Sequence, residues 1–174
     1  MCGALELVRF PRCLEEIGDS AFSHCRKLLT LDLSACPSLR RICAAAFSSC
    51  ETFESVLFPS SLEDIGYRGF SHCPKVVTVD LSACTSLRCV GERAFRSCGA
   101  LESVLFPSSL EEIGDYAFSD CPKLVNVDLS VCATLRRIGA RAFSTSGAIA
   151  PVVLPPALAM TVGGAVNVPS NRSS

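Results

Sequence analysis

At 174 residues the chain is long enough for one domain of ordinary size with a real core. Its 16 Lys and Arg against 17 Asp and Glu leave a net charge of −1, which excludes an electrostatic footprint for nucleic acid or an acidic membrane surface. A hydrophobic share of 49% excludes a disordered chain, and the presence of only two His, two Tyr and no Trp leaves little equipment for acid–base chemistry. The one extreme value is the 12 Cys.

In chain order, Met1 to Phe10 lacks a basic segment followed by an apolar run, so no secretory leader is expected there. Met1-Cys2-Gly3-Ala4-Leu5-Glu6 matches Ser97-Cys98-Gly99-Ala100-Leu101-Glu102, so the chain is expected to open inside a repeat, with no polar cap over its first coil. The repeat is the main signal. SVLFPSSLE occurs at Ser55 to Glu63 and again at Ser103 to Glu111, and units begin at Leu5, Leu28, Phe53, Val76, Leu101, Leu124 and Ile149, in steps of 23 and 25. The shorter unit reads L-E-x-V-x-F-P-x-x-L-E-E-I-G-x-x-A-F-S-x-C, and the longer reads L-x-x-V-D-L-S-x-C-x-x-L-R-R-I-x-x-x-A-F-x-x-C. Alternating apolar positions at the start of each unit predict a strand, ended by Pro59 or Pro107 in the shorter units. A glycine turn is predicted at Gly66, Gly91, Gly114 and Gly139, followed by one helical turn over A-F-x-x-C.

One such unit cannot bury its apolar positions, but stacked units can. The prediction is a solenoid over residues 1–148, a degenerate terminal repeat over 149–166 and a frayed tail over 167–174 that carries the sequon Asn171-Arg172-Ser173. At about 4.8 Å per strand, seven coils give a sheet roughly 30 Å long. No apolar run of membrane-spanning length escapes proline; the nearest, Gly147 to Pro169, contains Pro151, Pro155 and Pro156, so no membrane span is expected.

These residues resemble the BspA-like leucine-rich repeat proteins, whose motif is close to L-x-x-I-x-I-P-x-x-V-x-x-I-G-x-x-A-F-x-x-C. It stands here as Leu101-Glu-Ser-Val-Leu-Phe-Pro-Ser-Ser-Leu-Glu-Glu-Ile-Gly-Asp-Tyr-Ala-Phe-Ser-Asp-Cys121. The longer units depart from it by lacking the proline. The resemblance implies an α/β leucine-rich-repeat solenoid with a parallel concave sheet and short helical or irregular convex segments. It also implies a cell-surface or secreted recognition or adhesion protein without catalytic residues or cofactors.

Cys2, Cys25, Cys50, Cys73, Cys98 and Cys121 share the last motif position, with Ser146 in the next slot, and Cys36, Cys84 and Cys132 form a second file. Two readings are open: a ladder of buried thiols acting as small hydrophobes, or bridges between coils. The missing leader favours thiols. No C-x-x-C pair occurs, so zinc is not expected. Cys13, Cys43 and Cys89 fall outside both files. Phe22, Phe47, Phe70, Phe95, Phe118 and Phe143 predict a stacked spine inside the coil. His24 and His72 share a register with Asp120, and two coils of separation, about 10 Å, prevents a shared proton. Both are expected at the surface. No G-x-S-x-G, Walker loop or H-E-x-x-H occurs.

Charge follows register. Glu15-Glu16, Glu63-Asp64 and Glu111-Glu112 lie in shorter units, and Arg40-Arg41, Arg88 and Arg136-Arg137 stand at the matching place in longer ones, so acid is expected beside base along the stack. The outward strand positions form two files. One reads Leu7, Thr30, Ser55, Thr78, Ser103, Asn126; the other reads Arg9, Asp32, Leu57, Asp80, Leu105, Asp128. Exposed Leu beside Asp, flanked by small hydroxyls, marks a protein-binding surface, while the same pattern also suits a sheet that merely stays soluble. The first reading makes Asp32, Leu57, Asp80, Leu105 and Asp128, with Thr30, Ser55, Thr78, Ser103 and Asn126, the concave partner-binding residues of a non-catalytic module. The second makes the chain an intracellular scaffold with no dedicated ligand. The uncapped first coil adds an expectation of end-to-end self-association.

Overall fold

The computed structural model describes residues 4–147, 152–155 and 158. The described residues wind through eleven short strands: β1 (Glu16–Ile17), β2 (Leu31–Asp32), β3 (Arg41–Ile42), β4 (Val56–Leu57), β5 (Asp64–Ile65), β6 (Thr78–Asp80), β7 (Cys89–Val90), β8 (Ser103–Leu105), β9 (Glu112–Ile113), β10 (Asn126–Val127) and β11 (Arg137–Ile138). They form two files of parallel strands along the stack. The even-numbered strands are the expected L-x-x-V-x-L/F segments. β2 pairs with β4, β6 with β8 and β8 with β10, and a single bridge between Ser55 and Thr78 joins the two groups.

The odd-numbered strands build a second ladder, six strands in the order β1-β3-β5-β7-β9-β11. The sequence did not announce it. Each of these strands has one inward aliphatic residue and one outward residue, too short a run to show a period of two.

The expected helical turn over A-F-x-x-C does not form, and residues 4–147 contain no helix. The fold is therefore a parallel β-solenoid, not the α/β architecture anticipated. Two residues per coil in this segment adopt left-handed backbone, such as Ser20 (φ 53°) with His24 (φ 59°), and Tyr116 (φ 56°) with Asp120 (φ 57°). Alternate N–H groups then point sideways. Phe22 N donates to Ala46 O at 2.8 Å, Phe47 N to Gly69 O at 2.8 Å and Phe70 N to Ala94 O at 2.7 Å. One helical turn would leave most of its backbone groups without partners, whereas donation to the next coil satisfies them. The second left-handed position holds His24, Ser49, His72, Ser97, Asp120 and Thr145, of which His and Asp are types that tolerate this conformation, and Ser49 and Ser97 are held in it by the bonds to the next coil.

The core is columnar. Phe22, Phe47, Phe70, Phe95, Phe118 and Phe143 stack at centroid spacings of 5.2–5.5 Å with ring planes within 12° of parallel. Phe10, Phe58 and Phe106 meet this column edge-on at every second coil, with interplanar angles of 79°, 80° and 87°. They are the F of F-P in the shorter units, where the longer units place Leu33, Leu81 and Leu129.

None of the described glycines has positive φ, so the predicted glycine turns are not left-handed turns. They are sites of close coil approach. A β-carbon on Gly114 would lie 2.5 Å from Glu92 N and 2.6 Å from the Gly91 carbonyl carbon. Met1 to Gly3, the tail and its sequon, and the degenerate repeat apart from 152–155 and 158 lie outside the described residues.

Candidate binding face

In each even-numbered strand the middle apolar residue, such as Val79 or Val104, is buried, and strand alternation turns its neighbours outward. Register then assembles the outward residues into rows. Asp32 lies opposite Leu57 and Asp80 opposite Leu105, while Ser103 stands between Thr78 and Asn126. All ten predicted residues, Thr30 and Ser55 included, come onto this one face. Leu57 is 55% exposed and Leu105 50%, large values for leucines on a rigid ladder.

The aspartates also have a local task. Asp32 Oδ1 accepts from Ser34 N at 2.9 Å and from its Oγ at 2.6 Å, and Asp80 Oδ1 accepts from Ser82 with the same distances. Asp128 Oδ1 accepts from Ser130 N at 2.9 Å. These bonds close the turn after the strand, where the shorter units use proline. The sequence signal was present in the D-x-S spacing of the longer units. Hydrogen bonds from Ser130 hold the Asp128 carboxyl below the usual carboxylate range.

A further file was not singled out from the sequence. Leu29, Glu54, Val77, Glu102 and Val125 precede the hydroxyl row, and all are exposed. The doublets L-L, F-E, V-V, L-E and L-V at the unit starts were its signal. An open depression of about 490 Å³ there is lined by Glu102, Ser103, Lys123, Val125 and Asn126.

The second ladder carries the expected alternation of charge. Arg41 pairs with Glu16 and Arg137 with Glu112, while Arg40 reaches Glu63 at 2.8 Å and Arg88 reaches Glu111 at 3.0 Å. The hydrogen bond from Arg41 holds the Glu16 carboxyl below its ordinary value. Cys89 occupies the slot of an arginine, between Asp64 and Glu112. Burial and then the neighbouring carboxylates push its thiol up to about 12. No disulfide joins any two of the described cysteines, and among the described residues no three of His, Cys, Asp and Glu gather as a metal set.

On the turn segments His24 and His72 are exposed, and His72 Nδ1 lies 2.6 Å from Ser71 Oγ. An interleaved pair of arginines and tyrosines lies nearby. Arg68 stands over Tyr67 at 5.1 Å and Arg93 over Tyr116 at 5.3 Å. Nothing in the repeat pattern marked it, because these residues occupy variable positions.

A family model described as the BspA type leucine rich repeat region matches residues 15–150 in 6 copies. The chain belongs to the BspA-type leucine-rich repeat family. Among solved structures, a leucine-rich repeat protein from Bacteroides ovatus is 30% identical with a TM-score of 0.68, over 78% of this chain and 33% of that one. The T. pallidum leucine rich repeat protein is 26% identical with a TM-score of 0.60, over 86% of this chain and 75% of that one. The pneumococcal vaccine antigen PcpA shares the fold, with 23% identity, a TM-score of 0.64 and coverage of 76% and 34%. This BspA-type chain thus spans about a third of the length of the Bacteroides ovatus protein and of PcpA. No curated protein matches it.

Proposed function

We propose that this chain is a non-catalytic recognition module that holds a protein partner on the outward face of its even-numbered strands, within a larger surface or adhesion protein. The observation that carries this reading is the pair Leu57 and Leu105, half-exposed or more, standing in one row with the aspartates and beside a row of small hydroxyls. Isolated exposed leucines need no explanation, but these recur at the same register on a continuous ladder, where a partner would bury them together. The surface setting rests on the family resemblance, in which repeat proteins of this type serve recognition and adhesion.

The test is a capture experiment with immobilised wild-type chain and the Leu57→Arg and Leu105→Arg variants, binding partners being identified by mass spectrometry. Both side chains are exposed, so the variants should melt within a few degrees of wild type. Partners retained by wild type and lost from both variants support the face; partners kept by both variants place binding elsewhere. A second reading, a scaffold array with no dedicated ligand, is favoured by the aspartates, whose turn bonds to Ser34, Ser82 and Ser130 explain them without a partner. It predicts that the variants change nothing.

A further inference from the structure

Asp32, Leu57, Asp80, Leu105, Asp128 and Val153 form one row on the face, extended at its end by a bridge between Asp128 and Val153. Leu29, Glu54, Val77, Glu102 and Val125 form another, and the hydroxyl row runs between them. Each outer row alternates carboxylate with exposed apolar group, and neither holds a cation over this stretch. Glu54 and Glu102 form no ion pair among the described residues. Any one chemistry therefore recurs at every second coil, a repeat of about 9.6 Å along the stack.

A ligand that reads this face must present cations with the same repeat, alongside apolar groups. A polyproline II segment has three residues per turn and about 3.1 Å per residue, so one of its edges repeats every 9.3 Å or so. From Asp32 to Asp128 the face runs about 19.2 Å and two such turns run about 18.6 Å, a mismatch of roughly 0.6 Å. Two heptads of an α-helix run about 21 Å, a mismatch of roughly 1.8 Å. A β-strand turns every second side chain away, so cations on one side recur at about 6.6 or 13.2 Å and miss the row. Polyproline II also leaves its backbone carbonyls unbonded, and the Thr30, Ser55, Thr78, Ser103 and Asn126 row can donate to them.

Resting on the partner-binding reading above, we propose that the occupant of this face is an extended cationic polyproline II segment. It lies along the stack, with Lys or Arg at every third residue over Asp32, Asp80 and Asp128, and proline rings against Leu57 and Leu105. The carboxylates supply the charge and the leucines the apolar contact, so neither alone is enough for binding.

Two labelled peptides of equal length and composition test it by fluorescence anisotropy against the whole chain. One is four Pro-Lys-Pro repeats; the other gathers the same four lysines in a central block between prolines. The expected result is about tenfold tighter binding of the repeat peptide, lost in Leu57→Arg/Leu105→Arg and in Asp80→Asn/Asp128→Asn. Asparagine keeps the Oδ1 acceptor for Ser82 and Ser130, so the second variant removes charge and leaves the turn in place; circular dichroism and a melt confirm that each variant is folded. Equal binding of the two peptides reduces the effect to bulk attraction and overturns the proposal. Failure of both peptides, with captured proteins still lost from the leucine variants, overturns the polyproline II occupant while the face survives as a protein-binding site. Binding of the repeat peptide that survives both variants places it off this face and overturns the proposal.

Discussion

The thiol of Cys98 donates to the carbonyl oxygen of Phe70, one coil earlier, at 3.3 Å. Cys50 does the same to Phe22 and Cys73 to Phe47, both at 3.2 Å, and Cys121 to Phe95 at 3.3 Å. Ser146 completes the series with a hydroxyl donated to Phe118 at 3.0 Å. The last motif position is thus a hydrogen-bond donor as well as a small buried group. Ser146 was the clue: a residue chosen only for apolar bulk would not be replaced by a hydroxyl.

These thiols link stability to alkaline pH. Burial pushes Cys121 up to about 12 and Cys84 and Cys132 to about 11, against 9.0 for a free thiol. The folded chain therefore keeps protons that the unfolded chain releases. Their stabilising contribution is complete below pH 9 and is lost as pH rises through 11 to 12, at no more than about 1.4 kcal/mol per pH unit for each thiol. Urea unfolding between pH 8 and pH 11 should show a falling midpoint. Cys121→Ser, which retains a donor, should flatten the fall. A decline equally steep in that variant would assign it to other groups.

Cys89 interrupts the charge ladder between two carboxylates, and burial holds Asp64 above its ordinary value. Cys89→Arg places a guanidinium where the alternation calls for one. It should raise the melting temperature by the equivalent of about 0.5–1 kcal/mol at low ionic strength, with most of the gain gone in molar salt. A variant no more stable than wild type in low salt would show that the ladder contributes nothing at this site.

Arg40 and Arg41 test the ladder from the other side. They face Glu63 and Glu16 in exposed pairs, where water and salt screen the attraction. Reversal of both to glutamate sets like charges against both neighbouring coils, while replacement by glutamine only removes attraction. Thermal melts should rank wild type above the glutamine variant and the glutamine variant above the glutamate one. Equal losses would leave register to the apolar columns alone.

The left-handed positions invert the usual rule for glycine. Ala45 has φ 53°, which costs a residue with a β-carbon about 1–2 kcal/mol, so Ala45→Gly should stabilise by about 0.5 kcal/mol despite the added freedom of the unfolded chain. Gly114→Ala should do the opposite and cost about 1–3 kcal/mol, because its β-carbon would strike the backbone of Gly91 and Glu92. Gly18→Ala is the control, since nothing lies within 4 Å of the added atom. Denaturant midpoints for the three variants check the order.

Period, phase and contents of the repeat were legible in the chain because every coil must present the same residue types to identical neighbours. The Phe column, the thiol file, the alternation of Glu and Arg and the outward rows holding Leu57 and Asp80 all follow from counting. A turn at the repeated glycine was legible, but the letter does not say whether the need is positive φ or coil approach, and at Gly114 it is approach.

The tertiary structure alone decided how each backbone group finds its partner. A-F-x-x-C looks like a helical turn in isolation, because nothing local shows the coil that will lie beside it. Once Ala46 O stands 2.8 Å from Phe22 N, lateral bonding wins and the segment twists through left-handed residues. Residue identity fixes what repeats; hydrogen bonding between coils, which no single unit can form, fixes the shape each repeat takes.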